Sequence, residues 1–216
     1  MSRTAPGAVG HIWTNGRKGS SVVDVDGQLL SKLQAKLEPS RMRSTLAFAG
    51  LFQVTHELIK RNVLDEVKAF YGYSRPLGDP VWITGPEGRA AYERAVIALD
   101  PRSPFRASLL WLVNSEAIAP EQMEVLEKIY GHRHQLTHEL DRYLVDPAFE
   151  PDVDLFAEAV SILRSLTRFW TQVEIDIGTF AEHGDVTVDE ATPLSLAVLQ
   201  LAIDAYVQGL EGGHQS

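Results

Sequence analysis

The sequence contains no cysteine among its 216 residues. That single absence removes disulfides, thiolate metal sites and cysteine nucleophiles together. It also lacks any uninterrupted apolar run of the roughly 18 to 20 residues that a membrane-spanning helix needs. The nearest approach, Leu194 to Val207, is interrupted by Gln200 and Asp204. No apolar block follows Arg3, so no signal peptide is expected. A third absence is local: from Phe169 onward eight Asp and Glu residues stand without a single Lys or Arg. The chain as a whole carries 20 Lys plus Arg and 29 Asp plus Glu, so its formal charge of −9 is concentrated in this C-terminal part. Residues 1–168 are close to neutral, and charge neither favours nor excludes an anionic ligand. With 44% hydrophobic and 23% charged residues, what remains is the profile of one soluble globular domain with appendages. A reducing, cytoplasmic compartment is compatible with this profile and is the expected location.

The first 26 residues are rich in Gly, Ser and Thr, include Asn15-Gly16 and show no sustained periodicity. They read as a flexible lead-in with a short extended piece at Ser21 to Val25. A short helix is expected over 27–38. From Pro39-Ser40, apolar residues recur at three- and four-residue steps through Met42, Leu46, Ala49, Phe52, Val63 and Val67, which predicts one long amphipathic helix to Tyr71. Ser74 to Gly88, with three Pro and three Gly, is a loop. Helices are expected at Arg89 to Leu99, at Phe105 to Ser115, from Ala119-Pro120 to about Val145, from Val153 to about Phe180, and at Pro193 to Leu210. Strand-like alternation is nearly absent. The expected fold is therefore all-α, a bundle of three long helices and a shorter one, with a lead-in over 1–39, the bundle over 40–182 and an acidic, helix-bearing segment over 183–216.

Chemistry concentrates in the second long helix. Its apolar rhythm of Met123, Leu126 and Tyr130 continues through Arg133 and Thr137 to Leu140 and Leu144, which sets Arg133 on a packing stripe. A guanidinium stays charged and is costly to bury alone, so this position asks for a carboxylate, a phosphate or a subunit interface, or else for an arginine that snorkels to the edge of the bundle. Around it the text reads Gly131-His132-Arg133-His134-Gln135-Leu136-Thr137-His138-Glu139, placing three of seven histidines within seven residues. At roughly 100° per residue His134 and His138 share a face, with Arg133 flanking it. Imidazoles that shuttle protons and a fixed arginine that stabilises phosphoryl charge together resemble a phosphodiester-cleaving set.

The same residues resemble the HEPN domain family (higher eukaryotes and prokaryotes nucleotide-binding). Its signature is an Arg followed after four to six residues by His, with Asn, Asp or His commonly next to the Arg, near the middle of the third helix of a four-helix bundle. Arg133-His134 with His138 fits that pattern. The long preceding helix, the short apolar second helix, the Ile118-Ala119-Pro120-Glu121 turn and the long final helix are similar too, and the resemblance covers about Ser40 to Glu182. His134 departs from the more usual Asn, and Thr137 from a frequent Ala. The resemblance implies a HEPN-like four-helix up-and-down bundle with additional short helices. It also implies a metal-independent endoribonuclease without cofactor, often a toxin or antiphage effector, in which Arg133, His134 and His138 carry catalysis. RNA as partner, a homodimer that unites two motifs, and an antitoxin or other regulatory partner protein are further implications, as is the alternative of a non-catalytic nucleotide- or RNA-binding module.

Other readings compete locally. His134 and His138 have the spacing of a helical zinc pair, but His132 lies roughly 200° round a regular helix from His134, so the three do not converge. His56-Glu57 starts like a zincin motif, but Lys60 stands where the second histidine would be, and His56 reads as a surface or interhelical histidine. Arg164 and Arg168, and the net positive first long helix with Arg41, Arg43, Lys60, Arg61 and Lys68, read as solvated faces before they read as an RNA track. Trp111 and Trp170 read as core.

Overall fold

The computed structural model describes residues 27–76, 80–183 and 186–212. The first 26 residues of the expected lead-in, with the extended piece at Ser21 to Val25, lie outside the described residues. The described chain is all-α: α1 (Gly27–Lys36), α2 (Pro39–Phe70), α3 (Pro86–Ala95), α4 (Pro104–Asn114), α5 (Glu121–His138), α6 (Leu140–Val145), α7 (Val153–Asp176) and α8 (Leu194–Gly212). Short 3-10 turns occupy Ile97–Leu99 and Ala181–His183. Among the described residues β pairing is limited to one isolated bridge between Ser74 and Ile83, inside the expected loop. No helix among the described residues is long and apolar enough to cross a membrane.

α2 is the axis of the molecule: α4, α5, α7 and α8 all pack on it, and α5 also packs on α7. Its start follows from Pro39 at the first helical position, with the Glu38 carboxylate accepting hydrogen bonds from the backbone N–H groups of Ser40 and Arg41. Its buried stripe runs through Phe48, Phe52, Ile59, Val63 and Val67, whereas Leu46, on the expected stripe, is exposed. α7 supplies the opposite wall with Phe156, Ile162, Leu163, Leu166 and Trp170. Trp170 is buried, donates its indole N–H to the Asn62 carbonyl at 3.0 Å and stacks on the half-buried Trp111, with ring centroids 6.1 Å apart. α7 stops before Phe180 because Gly178 adopts φ +80°, closing the helix end with N–H donation from Thr179 to the Glu174 carbonyl.

Arg164 and Arg168 of α7 are exposed, as expected of a solvated face. At the surface Arg168 pairs with Asp189, and Arg164 donates to the Gln200 side chain at 2.6 Å. Tyr206 of α8 hydrogen-bonds Ser44 of α2 through their hydroxyls at 3.0 Å.

One helix is shorter than its sequence suggests. The run expected to reach Val145 breaks at Glu139, whose φ −125° and ψ 26° end α5 at His138 and restart the chain as α6. The reason is tertiary. The turn lets Tyr143 bury its ring edge-on against His132 and Phe149, at 5.9 and 5.7 Å. Buried Lys36 of α1 then donates to the carbonyls of Tyr143 (3.3 Å) and Phe149 (2.6 Å) and pairs with Glu150 at 2.9 Å. No Pro or Gly marks this break in the sequence.

Candidate active site on the fifth helix

α5 buries Leu126, Ile129, His132 and Leu136, one residue out of step with the expected stripe. That shift places His132 in the core and Arg133 at its margin. The His132 ring meets Phe52 edge-on at 4.9 Å, and its Nε2 accepts the Asp152 backbone N–H at 3.3 Å. Burial holds its pKa below the usual 6.5, against the opposing pull of the Asp152 carboxylate and a hydrogen bond with Gln135. A three-histidine metal site is thereby broken up in the way the helix angles imply. Among the described residues no group of three or more His, Asp or Glu side chains is placed to hold a metal ion.

Arg133 is 27% exposed and is turned towards α2. Its Nε donates to Gln53 Oε1 at 2.9 Å and its Nη2 to Glu57 Oε1 at 3.4 Å. The Gln53 amide donates onward to the Thr137 hydroxyl, and that hydroxyl donates to the Arg133 carbonyl at 2.8 Å. The side chain and backbone of Arg133 are thus tied into one ring of hydrogen bonds across the α2–α5 contact. The arginine meets a carboxylate and an amide at a half-open edge, which combines the two expectations for a guanidinium on a helix seam.

His134 and His138 occupy the other side. Both are exposed, and their rings lie 4.4 Å apart between centroids, tilted by 50°. Because α5 ends at His138, this pair sits on the last turn beside the Glu139 break. Arg133 and His138 are five residues apart, about 140° round the helix. Within one chain, therefore, His134 and His138 come together while Arg133 is held apart against α2.

Gln53 of α2 is a neighbour of Arg133 that escaped the sequence reading, which set the other neighbours, His56 and Glu57 of α2 and Tyr130 of α5, in different roles. His56 is an interhelical, buried residue whose ring packs against Tyr130 at 5.9 Å. Its Nδ1 lies 3.5 Å from Glu57 Oε1 and makes no hydrogen bond. Burial pushes its pKa down, with Glu57 pulling it up and Arg133 pushing it further down. Glu57 also lies 3.8 Å from Lys60, so His56, Lys60 and Arg133 all face one carboxylate. The signal for this cluster was present: Gln53, His56, Glu57 and Lys60 fall at i, i+3, i+4 and i+7, so four polar side chains share one face of α2. Tyr130, placed on the packing stripe by its spacing, is 58% exposed instead and borders a groove of about 570 Å³ between α2, α4 and α5.

Comparison of the chain with models of known protein families, with curated proteins and with solved structures gives no match.

Proposed function

We propose that the protein is a metal-independent endoribonuclease whose chemistry is carried by Arg133, His134 and His138. The observation that carries this reading is the pair of exposed imidazoles 4.4 Å apart, one residue along the helix from an arginine whose position is fixed through Gln53. Two neighbouring imidazoles supply the two proton transfers that RNA cleavage by internal attack requires. The neutral ring takes the proton of the ribose 2′-hydroxyl as its oxygen bonds to phosphorus. The protonated ring gives a proton to the 5′-oxygen as the P–O5′ bond breaks. The products are a 2′,3′-cyclic phosphate and a 5′-hydroxyl, and exchange with water resets both rings. His138 takes one of these roles, and His134 takes the other or orients its partner. The nucleophile belongs to the substrate and already lies beside the phosphorus, so proximity is built in. Arg133 neutralises charge that develops on the non-bridging oxygens.

The 140° between Arg133 and His138 is bridged in this reading by a homodimer, in which the end of α5 faces its symmetry mate and two motifs share one cleft. RNA is the substrate, the cytoplasm the place of action, and the resemblance to HEPN ribonucleases suggests a toxin or antiphage effector held in check by an antitoxin or other regulatory partner protein. A second reading draws on the Glu57 contact: an arginine already matched to a carboxylate and set apart from the histidines suits a non-catalytic module that binds RNA or a nucleotide.

Incubation of the purified protein with labelled single-stranded RNA separates the two. The ribonuclease reading expects cleavage that persists in EDTA, spares DNA and leaves 2′,3′-cyclic phosphate ends. Cleavage abolished by the chelator would refute metal independence, and RNA bound but never cut would favour the binding module.

A further inference from the structure

The groove beside Arg133 is unused by the proton-transfer chemistry, yet its two ends differ in a way that fits one ligand class. Its floor is apolar, built from Leu64 of α2, Phe105 and Leu109 of α4, and Met123 and Leu126 of α5. Tyr130 closes one side with its ring more exposed than covered. At the same end lie Arg133 and Lys60, whose shared counter-ion is Glu57, at 3.4 and 3.8 Å. Behind them His56 is more than nine-tenths buried, lines the groove and leaves Nδ1 without a hydrogen bond. A volume of about 570 Å³ falls in the range of small-molecule pockets.

We propose that this groove is a subsite for one unpaired nucleotide of the RNA substrate, with the base lying on Tyr130 and the apolar floor and its 5′-phosphate, the scissile group that Arg133 neutralises, taking the place of the Glu57 carboxylate between Arg133 and Lys60. This rests on the ribonuclease reading and sharpens it, because it assigns the substrate as single-stranded: a base inside a duplex has both faces stacked and cannot enter a groove between helices. An exposed tyrosine ring stacks on any base, and the aliphatic floor covers the rest of the ring. Glu57 acts as a placeholder anion. It keeps the two cations oriented when no RNA is bound and is displaced by the RNA phosphate, which accepts the arginine fork and arrives tethered to a stacked base. Burial disfavours the charged form of His56, so Arg133 and Lys60 are the cations that meet the phosphate at this end of the groove.

The test measures binding by the 216-residue chain of three probes: 2-aminopurine riboside 5′-monophosphate by its fluorescence, and ribose 5-phosphate and a short single-stranded RNA by competition. The nucleotide is expected to bind about tenfold more tightly than ribose 5-phosphate, a difference that Tyr130→Ala removes and Tyr130→Phe retains. Glu57→Gln is expected to tighten both phosphorylated probes several-fold, and the RNA to displace the nucleotide. Equal affinity for nucleotide and sugar phosphate, no effect of Tyr130→Ala, or weaker binding in Glu57→Gln would each overturn the proposal. Failure of the RNA to compete would overturn its assignment to the RNA substrate. A protein that binds the nucleotide but cuts no RNA contradicts the ribonuclease reading, whereas one that cuts RNA with unchanged efficiency in Tyr130→Ala contradicts this subsite.

Discussion

Three histidines within two turns of one helix meet opposite fates. His132 is packed among Phe52, Tyr143 and the start of α7, with its one acceptor nitrogen used by a backbone N–H. His134 and His138 stand in solvent with only each other as ring neighbours among the described residues. The residue type is the same, so the difference comes from position on the helix alone. A buried imidazole with a satisfied nitrogen is a structural part, and an exposed pair at the end of a helix is open to whatever docks there.

The comparison breaks most clearly through stability. His132→Ala removes a buried ring and leaves the Asp152 N–H without its acceptor, so unfolding free energy should fall by about 2–3 kcal/mol. His134→Ala and His138→Ala should each stay within about 0.5 kcal/mol of the parent. Chemical denaturation of the three variants measures this directly. Equal losses would mean that the exposed pair is structural after all.

A smaller effect sharpens the role of Arg133. Gln53→Ala deletes the acceptor for its Nε and the link to Thr137 while leaving the guanidinium in place. RNA cleavage should drop about tenfold, the cost of one hydrogen bond to a charged group, with stability little changed. A rate equal to the parent's would show that the hydrogen-bond ring does not position the arginine.

The smallest effect is in the pH dependence. Burial lowers the pKa of both His56 and His132 from 6.5 in the folded protein. The unfolded chain therefore binds more protons in the window below about pH 6.5, so stability is level above that pH and declines as pH falls towards the folded-state values. His56→Gln should flatten the slope between about pH 6.5 and 5, read from denaturation midpoints. An identical slope in His56→Gln would contradict the burial argument.

Much of the scaffold could be read before any coordinates, because helical periodicity is strong where one face is buried. α2 and α4 begin and end within a residue or so of the expected positions, fixed by Pro39, Pro104 and the apolar stripes. The Glu139 break was invisible: it is set by Tyr143 and Lys36, which come from distant parts of the chain and carry no local helix-ending signal. The site was legible as composition and only partly as geometry. Spacing alone grouped His134 with His138 and separated His132 from them. It put Arg133 and Tyr130 on the packing stripe, one residue off register, because a stripe of Met, Leu and Tyr fits the period as well as the true one of Leu126, Ile129, His132 and Leu136. The partners of Arg133 belong to another helix, and no pattern within α5 could reveal them.

Under the proposed function the exposed pair on α5 performs proton transfer on RNA. The most direct test of this is the initial rate of single-stranded RNA cleavage by His138→Ala against the parent, in EDTA and at matched concentrations of folded protein, with Arg133→Ala alongside. The account predicts a loss of about 10² or more in each, the range for removing an acid-base or charge-stabilising group. Cleavage by His138→Ala at the parent rate would contradict it.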